Sequence, residues 1–307
     1  MQHSFIELRN RLSFGDLINV YFAFIKQNIK PFLNQYLKYN FISFILMLGC
    51  SYLLVTGFMG LASRDFRFGM NNNEDSNMIY LVSGAIFLVI VLFCTYAINY
   101  SFSSSYIVHY VNNNGKTTSS EVWKAIKKNL GTIVAFMLIG VLFYIGYIII
   151  TMIVSFIPLI GMFVQYGLSF LLSAVYGLTF VSIFEKNKGF SAAMGEGWDF
   201  SISNFLLVIG YGLVIGLLNT LLTLLVLSIP GFLFFFFVYF SVQDQFEFYE
   251  STTATVVFTL SFCIFIITFT FSQSLSQLAY GVLYYNMHEK KYNTYLQSRI
   301  DKIGVSE

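Results

Sequence analysis

Polar side chains recur at three matched places in the chain. Asn99 and Ser103 stand seven and three residues before Tyr106; Ser169 and Ser173 stand likewise before Tyr176, and Gln273 and Gln277 before Tyr280. Positions i, i+4 and i+7 share one face of an α-helix, so each set forms a polar stripe ending in a tyrosine. Amides and hydroxyls exchange hydrogen bonds and carry no charge at neutral pH. Two uses follow. The stripes bond helix to helix and fix packing, at about 1 kcal/mol each, or they face a shared centre and touch a polar ligand or lipid headgroup. Asn219 and Thr220 add further polarity.

No other residues have the spacing of a reaction centre. Gly-x-Ser-x-Gly, His-Glu-x-x-His and a phosphate-binding glycine-rich loop are absent. Cys50, Cys94 and Cys263 all sit in apolar runs without metal-ligand spacing, and are expected to be buried free thiols. His109 has no second His or Cys near it in sequence, and His3 and His288 lie in the tails. The expectation is a protein that is not an enzyme, with no cofactor, no metal and no nucleic-acid partner.

The elements that must carry the stripes are membrane helices. The chain has 307 residues, 57% hydrophobic and only 10% charged, against about 25% charged in soluble domains. Apolar runs long enough to cross a bilayer predict an all-α integral membrane protein with six spans, near 39–62, 78–110, 131–156, 159–183, 204–229 and 253–286. The first 37 residues are polar to amphipathic, so no cleavable signal peptide is expected. No Asp, Glu, Lys or Arg falls in the middle of a span. That weighs against an ion-coupled transporter, because intramembrane ionisable groups mark ion pathways.

Fifteen of the 17 Lys and Arg fall on one side of these spans. Only Arg64 and Arg67 fall on the other. The positive-inside rule then puts both termini in the cytoplasm. The run Pro230-Gly-Phe-Leu-Phe-Phe-Phe-Phe-Val-Tyr-Phe240 is short, and as a seventh span it would reverse the basic C-terminus. Residues 230–242 are expected to follow the fifth span as an interfacial or re-entrant segment in the exoplasmic headgroup zone.

A second motif repeats. Glu121-Val-Trp123 and Glu196-Gly-Trp198 are each followed by an Asn and an apolar residue, Asn129-Leu130 and Asn204-Phe205. Phe22 and Asn28-Ile29 stand at the matching places before the first span. The chain thus reads as three units, near 12–111, 112–188 and 189–290, within one polytopic domain covering 1–307. Each unit is an amphipathic cytoplasmic elbow, a span out and a span back. Ser13-Phe-Gly-Asp16 and Thr118-Ser-Ser-Glu121 match a capping box and predict helix starts. Leu17, Tyr21, Phe24 and Ile25 are expected on one face, with Lys26 and Lys30 free to reach phosphates. Phe22, Asn28, Trp123, Asn129, Trp198 and Asn204 are the expected interfacial elbow anchors.

At these elbows the chain resembles the membrane domain attached to bacterial glycerophosphodiester phosphodiesterases, and its stand-alone six-span relatives. The resemblance rests on Phe14-Gly-Asp-Leu-Ile-Asn-Val-Tyr-Phe-Ala-Phe-Ile-Lys-Gln-Asn-Ile-Lys-Pro-Phe32, on the Glu-x-Trp elbows, and on Phe184-Glu-Lys-Asn-Lys-Gly189. In the two-domain enzymes the phosphodiesterase follows the membrane part. The chain ends at Glu307, so that domain is expected to be absent. The resemblance implies a multi-pass protein of a bacterial inner membrane, and nothing catalytic.

The expected function is a membrane subunit or scaffold that docks a cell-envelope protein, with membrane lipid as its other partner. The docking segment is the Phe-rich stretch 232–248, with Phe232, Phe234, Phe237 and Phe240 as its anchors. The alternative is a carrier or channel-like protein for a lipid or other amphiphile, using the polar stripes. A membrane enzyme acting on lipid through an unrecognised site is a third reading.

Overall fold

A computed structural model describes residues 5–62, 74–157, 160–185, 187–243 and 251–303. Among the described residues the chain is all helical and has no strand. Nine helices follow one another among the described residues: α1 (Phe14–Ala62), α2 (Glu74–Asn112), α3 (Ser119–Lys128), α4 (Leu130–Val154), α5 (Ile160–Glu185), α6 (Phe190–Ser203), α7 (Phe205–Gln243), α8 (Thr252–Tyr292) and α9 (Thr294–Ile303). Six of them, α1, α2, α4, α5, α7 and α8, are long and apolar enough to cross a membrane, which makes this a multi-pass membrane protein. α4 and α5 have 25 and 26 residues. At 1.5 Å per residue each is about 38 Å long, against a hydrocarbon core of about 30 Å. α1, α2, α7 and α8 have 49, 39, 39 and 41 residues, so they tilt or project beyond the core.

The predicted helix starts are present. The Ser13 hydroxyl donates to Asp16 at 2.6 Å and accepts from its backbone N–H at 3.3 Å. Thr118 does the same with Glu121, at 2.7 and 3.4 Å. Each hydroxyl satisfies a backbone donor that the first turn leaves open. At the other ends, Asn114, Asn187 and Asn293 adopt positive φ of 49°, 48° and 53°. Asn tolerates this left-handed region best among residues with a side chain. Gly115, at φ 92°, completes the turn after α2.

Two boundaries differ from expectation. α1 runs through Asn28 and Pro31 without a break, so no separate first elbow exists. α7 runs through Pro230 to Gln243, so 230–242 is not a separate segment but the end of the helix. Proline removes one helix hydrogen bond. Leaving the helix there would free several backbone groups in an apolar stretch, where each unsatisfied group costs more. α9 was not anticipated.

The chain divides into two compact units. The first holds residues 1–36, 99–217 and 274–307. Its centre is α2, α5 and α8. A Cβ added to Gly177 on α5 would lie 2.5 Å from the Tyr280 ring on α8, and one on Gly281 of α8 would lie 2.7 Å from Ile107 on α2. Tyr100 on α2 meets Tyr176 and Phe180 on α5, with ring centroids 5.6 and 5.4 Å apart. Around this centre, α1 packs Phe24 and Phe32 on Tyr110 and Tyr106 of α2. α4 packs Phe136 on Tyr176 at 4.5 Å. α7 packs Gly212 against Phe170 of α5, and its Tyr211 donates to Ala279 O of α8 at 3.1 Å.

The second unit holds 37–98 and 218–273. Met47, Cys263 and Ile266 form its buried cluster, with Phe44, Leu88, Val91 and Phe262 packed around it. Gly57 of α1 lies so near α2 that a Cβ would sit 2.6 Å from Leu81 N. Cys50 and Cys263 are buried free thiols as expected, but Cys94 is exposed on the outer face of α2, where an apolar run continues around it.

The packing of α5 on α8 gives a first prediction. Gly177→Ala has no room beside Tyr280 and is expected to destabilise the fold by about 1–3 kcal/mol. Gly146→Ala has nothing within 4 Å and is expected to be neutral or to stabilise by about 0.5–1 kcal/mol. Thermal midpoints in detergent check this; equal midpoints for the two variants would rule out the close α5–α8 approach.

Candidate functional site

Each polar stripe was expected on one face of its own helix, and the three differ in burial. Asn99, Ser103 and Tyr106 on α2 are fully buried, as are Gln277 and Tyr280 on α8. Ser169, Ser173 and Tyr176 on α5 are half-buried, and so is Gln273. Gln273 falls in the second unit and the other stripe residues in the first. The Gln277 amide joins the central helices: its Nε2 donates to Ser104 Oγ of α2 at 2.7 Å and to Gly177 O of α5 at 2.8 Å. Tyr176 OH meets Met137 Sδ of α4 at 2.9 Å. Ser104 was not in the expected stripe, although it adjoins Ser103 in the sequence.

The elbow residues show a common local bond. Asn28 donates its side-chain amide to Phe24 O at 3.0 Å, Asn129 to Ala125 O at 3.0 Å, and Asn204 to Phe200 O at 3.2 Å. The backbone differs. Asn129 and Asn204 leave helical geometry, at φ/ψ −100°/10° and −126°/35°, and separate α3 from α4 and α6 from α7. At Asn28 the helix continues. Phe22, Trp123 and Trp198 are all exposed. Leu17, Tyr21 and Phe24 are buried on one face, with Lys26 and Lys30 exposed.

In the docking segment, Phe232 and Phe234 are exposed at 62% and 43%, together with Phe235, Phe236 and Tyr239. Phe234 also meets Phe258 of α8 at 4.8 Å. The side chains of Phe237 and Phe240 lie outside the described residues.

A polar centre that sequence reading missed lies where α5, α6 and α8 meet. Glu196 of α6 is buried. It accepts from Ser182 Oγ of α5 and from Tyr284 OH of α8 at 2.9 Å, and pairs with Lys188 Nζ at 2.7 Å. Gly197 brings α6 this close, since a Cβ there would strike Thr179 of α5. Burial pushes the Glu196 carboxyl up, but bonds from Lys188, Ser182 and Tyr284, with the Lys188 charge, outweigh it and hold it below the ordinary carboxylate range. The small residues around it, Gly195-Glu-Gly197, were the available signal. Its counterpart Glu121 is exposed; it completes a capping box and accepts from Asn113 Nδ2 at 3.5 Å.

Beside this centre, Tyr285 OH donates to Glu185 Oε2 at 2.5 Å. The Glu289 carboxylate accepts from the backbone N–H of Tyr295 and Leu296, both at 3.0 Å, and so caps α9. The segment before α1 closes over the same end: Arg11 donates to Glu289 O and Lys290 O, and Asn286 Nδ2 donates to Asn10 O at 3.0 Å. Among the described residues no three His, Cys, Asp or Glu side chains group as metal ligands. These arrangements hold helices and termini together, and Glu196 is the charge on which α6 is seated.

Compared with models of known families, with curated proteins and with solved structures, the chain matches none of them.

A lowered folded pKa means that Glu196 stabilises the fold above the ordinary carboxylate value of about 4.3. That contribution is lost as pH falls through the lowered value. Glu196→Gln is therefore expected to reduce stability at neutral pH by about 2 kcal/mol and to flatten the acid limb of the stability profile. Unfolding followed from neutral to acid pH tests it: parallel acid limbs in the two proteins would mean that Glu196 contributes no charge interaction.

Proposed function

We propose that the chain is a non-enzymatic inner-membrane scaffold of bacterial type that docks a protein of the cell envelope. The observation that carries this reading is the Gln277 amide. Its Nε2 is committed to Ser104 and Gly177 on neighbouring helices, which supports a stripe used for assembly. A carrier would need that nitrogen turned to a ligand.

In this reading both termini are cytoplasmic, on the strength of the Lys and Arg distribution. Three hairpin units build the bundle, α1–α2, α3–α5 and α6–α8. The matched bonds of Asn28, Asn129 and Asn204 support the repeat, as do the left-handed Asn114, Asn187 and Asn293 that follow the returning helices. The likeness to the membrane domain of glycerophosphodiester phosphodiesterases belongs to the same proposal. It brings an inner-membrane setting and no hydrolysis.

The partner engages the far end of α7, through the exposed rings of Phe232, Phe235 and Phe236. Aromatic side chains bury large area at low entropic cost and are enriched at interfaces. The occupant that fits is the apolar face of a helix in an envelope protein.

The test is native purification in lipid nanodiscs with mass spectrometry of co-purifying protein and lipid. A stoichiometric protein partner is expected. Phe232→Ala, Phe235→Ala and Phe236→Ala together keep the helix, since Ala has the highest helix propensity, and are expected to release it. Unchanged co-purification after that change removes the docking surface. A lone chain holding one enriched lipid replaces the scaffold with the carrier.

A further inference from the structure

We infer that the outer face of α3 is a docking surface for the anionic lipid headgroups of the leaflet beside it. α3 has two distinct faces. Val122 and Ile126 are buried beneath it, and Ser105 Oγ of α2 donates to Val122 O at 3.3 Å. The opposite side exposes Trp123, Lys124, Lys127 and Lys128, with Lys116 in the turn before it. Among the described residues none of these lysines pairs with a carboxylate. The Lys127 ammonium lies 5.5 Å over the Trp123 ring. Leu130, just past the break at Asn129, is 56% exposed.

The occupant follows from this combination. Unpaired cations alone would suit any polyanion. Here they stand beside an exposed indole and an exposed leucine. A face with both wants phosphates and acyl chains together, which is the chemistry of an anionic bilayer surface. The companion elbow makes the contrast. α6 exposes Trp198 just as α3 exposes Trp123, but it contains no Lys or Arg. Its two acids are taken up by Lys188 and by Lys291, the latter at 2.5 Å from Asp199. Among the described residues the same motif therefore presents a basic aromatic face once and a neutral one once.

The inference rests on the placement of α3 at a leaflet surface, and the experiment separates the two. Trp123 and Trp198 are the only tryptophans, so Trp198→Phe leaves one reporter on α3 and Trp123→Phe leaves one on α6. The full chain is placed in nanodiscs of phosphatidylcholine and phosphatidylglycerol at fixed headgroup composition. Bromine is carried on the acyl chains of one lipid or, in equal amount, of the other.

Trp123 fluorescence is expected to be quenched about twofold more strongly when the bromine is on phosphatidylglycerol. The exposed Lys124→Gln, Lys127→Gln, Lys128→Gln variant should lose that difference, and Trp198 should show none. Equal quenching of Trp123 by the two lipids overturns the inference, as does a preference that survives the triple variant. Quenching by neither lipid overturns it together with the placement of α3 at the membrane.

Discussion

Within a bilayer a helix satisfies its own backbone, but side-chain amides and hydroxyls must find partners on other helices. Gln277 meets this constraint with its nitrogen, while its Oε1 has no hydrogen-bond partner among the described residues. Nε2 reaches α2 and α5 from α8, so three long helices share one buried polar side chain. Apolar packing between helices in lipid has little hydrophobic driving force, because the lipid is as apolar as leucine. A single amide with two partners gives the centre a register that leucines alone would leave open. The outer helices then fit against a centre whose positions are already defined.

That bond depends in turn on small residues. Gln277 can reach the carbonyl of Gly177 because α5 carries no side chain there, and the Tyr280 ring fills the space above the same Cα. Gly281 repeats the device toward α2, and Gly197 toward α5. The last of these has a chemical consequence. By letting α6 settle on α5, it removes Glu196 from solvent. A carboxylate in that position needs compensation, and Ser182, Tyr284 and Lys188 supply it. A sequence of close contacts thus runs from the central triad to the charged cluster at its end.

Much of this was legible from the residues. Apolar run length predicts the six long helices because burial in lipid imposes it directly. The capping boxes at Ser13 and Thr118 were legible because they need only residues three apart. What failed was of two kinds. The continuity of α1 through Pro31 and of α7 through Pro230 turns on a balance between one lost helix bond and several exposed backbone groups, which a proline in the sequence does not reveal. Glu196 and Gln277 depend on partners 8 to 173 residues away. Periodicity could say that Gln277 sits on a polar face, but not which helix faces it, and it offered Ser103 where Ser104 makes the bond.

The two Glu-x-Trp elbows show how a repeated motif can diverge without losing its form. Both keep an exposed tryptophan and an Asn that donates to the carbonyl four residues back. The glutamates part company. Glu121 stays in solvent, where a capping hydroxyl suffices. Glu196, between two glycines, is drawn into the bundle and takes Lys188 with it. Once that lysine and Lys291 are occupied by acids of α6, the elbow has no spare cation among the described residues. On α3 the acid is capped locally, so Lys124, Lys127 and Lys128 remain outward. Whether an elbow turns to its own protein or to its surroundings is therefore decided by the room beside one residue: a glycine after the glutamate makes it a joint, and a valine in that place, Val122, fills the seat and leaves the charges outside.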